Sequence, residues 1–369
     1  MSKKKPASRG ESRSSAPSAG QVAKQLERLD RDILRLANER AKVAIRAGKP
    51  EAGPAGEAFS DQQRLQHLIE GNKGPLPERA LRTILREINS ASRALVKSIR
   101  VVYLGPKYSY SFQAAIDRFG ESAELSPVAT ISAVFEELNK GQADYGVVPL
   151  ENSTDGRVSD TLDMFARISI KICGEIQLRI RHSLMAKCPR DQIQEVYSKP
   201  QALSQCREWL AKHLPWARAV EMTSTAAAAQ VAASKPGAAA VASFAAASAY
   251  GLEVLATDIE DNKTNITRFA IIGGEQPSRT GHDKTAMMFE IPHRPGSLAD
   301  VMGVFKRGRL NLTWIESFPM RGTPNEYVFF VECEGHQSEA KVRKALAALE
   351  RRTAKLVVLG SYAKALSVE

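Results

Sequence analysis

The 369-residue chain is poor in cysteine and aromatics and has no long apolar run, and each shortage excludes a class of protein. Its four cysteines, Cys173, Cys188, Cys206 and Cys333, are far apart and form no paired spacing. Neither a metal site nor a disulfide framework is expected, which fits a reducing, cytoplasmic setting. The most apolar window, Ala238 to Ala256, is mostly alanine and is broken by Ser243, Ser248, Tyr250 and Gly251. It falls short of the roughly 20 strongly apolar residues of a membrane span, so no membrane partner is expected. No apolar stretch follows the basic start, so a secretory signal is not expected either. Aromatics are 6% of the residues and do not interleave the basic ones, as stacking on single-stranded nucleic acid requires.

What the chain does have is an uneven charge. Residues 1–100 carry 21 Lys/Arg against 11 Asp/Glu, a net of +10, while residues 101–369 carry 31 against 30, a net of +1. A basic third of this kind reads as a solvated helical surface with a charged tail, and no nucleic-acid partner is expected. At roughly 150 residues per domain the length suggests two or three domains.

The pattern along the chain changes three times. Residues 1–20 lack apolar periodicity and are expected to form a disordered basic tail. From Val22 an apolar stripe of Leu26, Leu29, Ile33, Leu36, Val43 and Ala47 has the three- and four-residue steps of an amphipathic helix. Arg40 falls where that stripe calls for an apolar residue. The stretch Gly48 to Gly56 breaks the helix. A short helix with Leu65, Leu68 and Ile69 inward is expected next, then a third with Leu81, Ile84, Leu85, Ile88, Ala91 and Leu95. Residues 21–99 thus read as a small helical bundle, completed in one arrangement by a second copy of the chain.

From residue 100 to about 275, short apolar strands alternate with helical patterns. These include Val101–Leu104, Ser111–Phe119, Ile131–Asn139 and Tyr145–Leu150, an α/β alternation. Residues 284–363 then read strand, helix, strand, strand, helix, strand. That βαββαβ order is ferredoxin-like.

The most informative stretch is Thr267-Arg268-Phe269, just before the apolar run Ala270-Ile271-Ile272. A hydroxyl, a fixed cation and a ring side by side suit a small carboxylate substrate that must also be protonated. Three other segments stand in a consistent order with it: Gly105-Pro106-Lys107-Tyr108-Ser109-Tyr110-Ser111, Val147 to Thr154, and Ser224-Thr225-Ala226-Ala227-Ala228. Through these four segments residues 101–274 resemble prephenate dehydratase. Residues 284–363 look like an ACT regulatory domain, through Arg294-Pro295-Gly296-Ser297-Leu298 and Asn311-Leu312 … Glu316-Ser317-Phe318-Pro319. The N-terminal helices look like the all-helical chorismate mutase domain, and the three-part order resembles the bifunctional P-protein family of phenylalanine biosynthesis.

The resemblance implies a two-lobed, periplasmic-binding-protein-like α/β domain that converts prephenate to phenylpyruvate, water and carbon dioxide without a cofactor or metal. It implies Thr267 as the proton donor, and Arg268, Phe269, Glu151, Asn152, Ser153, Thr154, Ser109, Ser111, Ser224 and Thr225 as substrate-binding residues. Several have a plainer alternative. Arg268 pairs with Glu260 or Asp261 on the surface, the Glu151–Thr154 segment is a helix N-cap, and Ser109 and Ser111 are hydroxyls at a helix entry of the same kind. His182 matches a family position and reads equally as a satisfied structural histidine. For the helical region, Arg40 and Ser92 occupy mutase-like positions. Ala23, Glu51, Ser60-Asp61 (or Arg64) and Val96 depart from the pattern, which implies weak or lost turnover of chorismate and a mainly dimerising role. For the ACT-like unit, Gly296, Ser297 and Leu298 from one chain and Asn311, Leu312 and Glu316 from another are implied to bind L-phenylalanine as effector. A homodimer or homotetramer follows. The competing readings are a fully bifunctional enzyme and a non-catalytic amino-acid sensor.

Overall fold

A computed structural model describes residues 18–47, 65, 67–273, 276–319 and 327–365. Most of the expected tail, the break at Gly48–Gly56 and the mutase-pattern positions Glu51, Ser60, Asp61 and Arg64 lie outside these residues. The chain divides into two units, Met1–Gly48 and Lys49–Glu369.

The described residues of the first unit form one helix, α1 (Ala19–Ala47), which begins inside the stretch read from sequence as tail. Gln21 closes the first turn on Ser18, so the apolar stripe alone did not mark the helix start. The stripe residues Val22, Leu26, Leu29, Ile33, Leu36 and Val43 are exposed. Across the helix, Arg35 pairs with Glu39 at 3.1 Å and with Asp32 at 3.3 Å.

In the second unit residues 67–70 are helical where a short helix is expected, but only Ile69 is buried there, and Leu68 is exposed rather than inward. Helix α2 (Glu78–Ala94) follows. Its apolar spacing predicts a bundle helix, yet its buried residues are Ser90 and Ser92, while Ile84 and Leu95 are exposed. The reason is its neighbour, helix α3 (Tyr110–Phe119) and the turn after it. Arg86 meets Asp117 at 2.9 Å, Arg93 donates to the Phe119 carbonyl at 3.1 Å, and the Ser90 hydroxyl accepts from Ser122 N–H at 3.2 Å. At Gly120 (φ 77°) a Cβ would lie 2.4 Å from Ser90, so only glycine admits this approach.

The first lobe is a sheet built from β1 (Arg100–Leu104), β2 (Glu124–Val128), β3 (Tyr145–Asn152), the two-residue β4 (Gly156–Arg157), β5 (Lys171–Arg179) and, much later, β11 (Ile266–Gly273). Their order is β2-β1-β3-β11-β5, with β4 pairing β3. Helices α4 (Ile131–Asn139) and α5 (Ser159–Arg167) pack on one face. The second lobe holds β6 (Ser183–Ala186), β7 (Glu195–Ser198), β8 (Arg218–Glu221), β9 (Ala238–Ala242) and β10 (Glu253–Ala256), in the order β10-β6-β9-β7-β8. It carries helices α6 (Pro200–Gln205), α7 (Arg207–His213), α8 (Thr225–Ser234) and α9 (Phe244–Tyr250). Small side chains let α8 lie close on β9, whose five residues Ala238–Ala242 are all buried. The chain leaves the first lobe after β5 and returns in β11, so β11 is laid into the middle of a sheet whose other strands precede it.

The C-terminal part has the expected order: β12 (Asp283–Glu290), α10 (Ser297–Gly308), β13 (Leu312–Pro319), β14 (Tyr327–Glu334), α11 (Ala340–Glu350) and β15 (Lys355–Ala363). These strands form an antiparallel sheet, β13-β14-β12-β15. Period-two alternation divides it cleanly. Met287, Phe289 and Val331 pack under its own two helices, while Ala286, Met288, Phe330 and Tyr362 join the first lobe's core beside Val148, Phe165 and Ala270. The contact is close at Gly360, where a Cβ would sit 2.1 Å from the Ile172 carbonyl oxygen.

Candidate functional site

The site begins with an irregularity. Strands β3 and β11 pair Phe269 with Pro149 and Arg268 with Glu151, leaving Leu150 as an extra residue between them. A bulge of this kind re-aims the side chains that follow it. Beyond it, Thr267 stands opposite Asn152, and the Asn152 amide nitrogen donates to Thr267 Oγ1 at 2.8 Å and to Asn265 Oδ1 at 2.8 Å. The orientation of that amide is fixed, because its Oδ1 accepts from the backbone N–H groups of Thr154 (2.9 Å) and Asp155 (3.1 Å). Thr267 therefore accepts from Asn152, and its own hydroxyl proton is available to another partner.

Thr267 and Asn152 line a cleft of about 380 Å³ together with Leu104, Thr130, Pro149, Val158 and Asp160 of the first lobe and Lys199 and Gln201 of the second. That volume lies within the usual range for small-molecule sites. Thr130 caps α4, accepting from Ala133 N–H at 3.1 Å. Ser153 is a turn clasp, accepting from Ile266 N–H at 2.9 Å and donating to the Thr264 carbonyl at 3.3 Å.

A polar chain leads away from Thr267 behind the cleft. Asn265 donates to Gln205 Oε1 at 3.0 Å, and that oxygen also meets His182 Nε2 at 3.0 Å. His182 Nδ1 meets the Tyr110 hydroxyl at 3.1 Å. Burial lowers the His182 pKa, and the Gln205 oxygen can only accept, so Nε2–H is the donor in that contact. Gln201 and Gln205, four apart on α6, both donate to Asp155.

Arg268 points the other way. Adjacent strand residues alternate in side, so Thr267 and Phe269 share one face and Arg268 and Ala270 the other. Its guanidinium meets Glu151 at 2.8 Å, Glu175 at 3.0 Å and Glu332 at 2.7 Å, and lies over the Trp314 ring at 5.2 Å. Neither Glu260 nor Asp261 is its partner: Glu260 accepts from His182 N–H at 2.9 Å, and Asp261 caps α7 through Glu208 and Trp209 N–H. Burial alone would lower the Arg268 pKa, but Glu332 and Glu175 outweigh it and hold the group above its ordinary value.

The remaining expected residues are dispersed. Ser109 caps α3, accepting from Phe112 N–H at 3.3 Å, and Ser111 is buried in the first turn of that helix. Ser224 caps α8, accepting from Ala227 N–H at 3.0 Å, and Thr225 is buried behind it. Phe269 is sealed in the core beside Tyr103 and Val147. Arg40 lies on α1 and Ser92 on α2, where the Ser92 hydroxyl donates to the Ile88 carbonyl at 2.7 Å. In the C-terminal part, Gly296 (φ 85°) begins α10, the hydroxyl of Ser297 is buried without a partner, and Leu298 is exposed. Leu312 opens β13 after Asn311, and Glu316 on that strand meets Arg157 of β4 at 2.8 Å.

Sequence reading passed over Asn265, Lys199, Gln201 and Gln205. A signal for Asn265 was present, since it stands two residues before Thr267 and shares its side of the chain. The second-lobe residues gave none, because only the folded cleft brings them near Thr267.

Residues 101–277 match the prephenate dehydratase family. The chain is 44% identical over 357 residues to a bifunctional chorismate mutase/prephenate dehydratase of Aquifex aeolicus, covering 95% of this chain and 99% of that one. It is 40% identical to the enzyme so named from Stutzerimonas stutzeri, covering 92% of this chain and 96% of that one. Among solved structures it resembles a prephenate dehydratase from Arthrobacter aurescens in complex with L-Phe, with 34% identity and a TM-score of 0.67, covering 72% of this chain and 89% of that one.

Proposed function

The chain belongs to the bifunctional chorismate mutase/prephenate dehydratase family, and we propose that the cleft holding Thr267 and Asn152 is where it converts prephenate to phenylpyruvate. Prephenate loses its ring carboxylate as carbon dioxide. The bonding electrons close the aromatic ring, and the ring hydroxyl leaves as water once a proton reaches it. Aromatisation drives the reaction, and expulsion of hydroxide is the barrier. A positioned general acid contributes roughly 10²–10⁴-fold.

The single observation that carries this reading is the direction of the Asn152–Thr267 hydrogen bond. Asn152 can only donate, so the Thr267 hydroxyl gives its proton outward into the cleft. The same amide N–H stabilises negative charge developing on Thr267 Oγ1 as that proton leaves. Lys199 across the cleft supplies the cation for a substrate carboxylate, and Asp160 on the first lobe favours that orientation over its reverse. Ser153 and Ser109 serve the site as loop and helix caps.

The C-terminal unit is proposed as an ACT domain that binds L-phenylalanine around Gly296, Ser297, Leu298, Asn311, Leu312 and Glu316 and lowers dehydratase activity. The partnerless Ser297 hydroxyl and the L-Phe complex of the Arthrobacter relative support this. The exposed stripe of α1 supports association of copies into a homodimer or homotetramer. The helical region is proposed to serve mainly that role. The names of the full-length relatives favour a second reading, in which it also turns over chorismate.

Parallel assays with chorismate and prephenate on the wild type and on Thr267→Ala test the catalytic readings. Prephenate turnover that collapses in Thr267→Ala supports the assignment. Robust chorismate turnover abolished by Arg40→Ala establishes the second reading.

A further inference from the structure

We infer that Glu332 of the C-terminal sheet is a positioning residue of the dehydratase site, acting through Arg268 and Glu151 on the bulge that seats Asn152 against Thr267. This rests on the assignment of the Thr267 cleft to dehydration.

Five charged side chains meet between the first lobe and the C-terminal sheet. Arg268 on β11 is the hub, and its two terminal nitrogens divide the work. Nη1 holds Glu151 at 2.8 Å, while Nη2 holds both oxygens of Glu332 on β14, at 2.7 and 2.8 Å, and Glu175 on β5 at 3.0 Å. Lys284 on β12 bridges Glu175 at 3.0 Å and Glu332 at 3.6 Å. The Tyr362 hydroxyl on β15 donates to Glu332 at 2.9 Å, and Ala365 N–H donates to Glu175 at 2.8 Å. The carboxylates of Glu332 and Glu175 are 0% and 1% exposed, so solvent does not screen them. Burial alone would raise the Glu175 pKa, but Arg268 and Lys284 outweigh it and hold it low.

Such a cluster costs desolvation energy and is weak evidence for stability by itself. Its geometry gives it another use. Glu151 directly precedes Asn152 on the bulged stretch of β3, and it is the one member whose side chain is about a third exposed, at 29%. A planar guanidinium can hold Glu151 with one arm and Glu332 with the other at fixed separation, which a lysine cannot. Pinning Glu151 pins the backbone that presents the Asn152 amide to Thr267. A second pair, Arg157 to Glu316, ties β4 (the other side of the same hairpin) to β13. The C-terminal sheet thus grips the Asn152 segment from both sides, while among the described residues none of it lines the Thr267 cleft.

A double-mutant cycle on the full chain tests the inference, using Arg268→Lys and Glu332→Gln with prephenate as substrate. Glu332→Gln is expected to lower kcat roughly tenfold with KM held within about twofold, since it alters alignment rather than substrate contact. The two changes together should cost no more than the larger alone, and Glu332→Asp should recover part of the rate. Near-UV circular dichroism and the melting midpoint verify folding. Should Glu332→Gln fail to fold, Glu332→Asp against Arg268→Lys reads the same coupling. A folded Glu332→Gln enzyme with wild-type kcat, or fully additive effects, overturns the inference. So does a higher KM at unchanged kcat in Arg268→Lys, which would put Arg268 on a substrate carboxylate. Prephenate turnover by the wild type keeps these outcomes distinct from failure of the dehydratase assignment itself.

Discussion

Thr267 and Arg268 are neighbours in sequence, yet they look into different surroundings. The Thr267 face of β11 opens on a cleft, with one amide donor and a hydroxyl proton to spare. The Arg268 face closes on three carboxylates, a lysine and a tryptophan ring contributed largely by a different sheet. Strand alternation creates the difference, and the bulge at Leu150 carries it across to β3, where Asn152 serves the open face and Glu151 the closed one. A short motif therefore need not be a cluster: adjacent residues can do chemistry on one side and anchorage on the other.

The comparison predicts graded consequences. The largest falls on the open face, where Thr267→Ala should lower kcat by roughly 10²–10⁴-fold and leave the melting midpoint close to wild type. Asn152→Ala should cost about 10²-fold in kcat, because it removes the donor that orients and stabilises Thr267 Oγ1. The closed face should answer chiefly in stability. Arg268→Gln strands three carboxylates with one lysine and should cost about 3–5 kcal/mol in denaturant unfolding. If Arg268→Gln proves as stable as wild type, the two faces do not differ as described.

Smaller effects sharpen the same contrast. Glu175 has a folded pKa held below its ordinary 4.5. Its contribution to stability is complete above pH 4.5 and is lost as the pH falls through the folded value. Glu175→Gln should therefore flatten the acid limb of stability while leaving the limb above neutrality unchanged. L-Phenylalanine at 100 times its Kd should stabilise the protein by about 2.7 kcal/mol. Calorimetry finding no binding at millimolar concentration removes the effector site.

What was legible in the sequence was what local pattern controls. Helix Ile131–Asn139 matches its apolar spacing to the residue, and the βαββαβ order of the C-terminal part followed from its sequence of elements. Thr267, Glu151 and Asn152 stood out because they lie in short quotable segments. The partner of Arg268 did not, because Glu332 lies 64 residues later on another sheet and reads there as an isolated acid among apolar residues. Helix α2 misled for a similar reason: its apolar spacing suggests a bundle, yet Ser90 and Ser92 are buried, where the turn at Gly120 comes close. Ser224 and Thr225 sit in the segment the family resemblance quotes, and they form the cap and first turn of α8.

The most direct measurement is prephenate consumption by purified wild type and Thr267→Ala, both verified as folded. The account predicts phenylpyruvate formation by the wild type and its near-complete loss in the variant. Equal rates in the two, or no turnover by either, would contradict it.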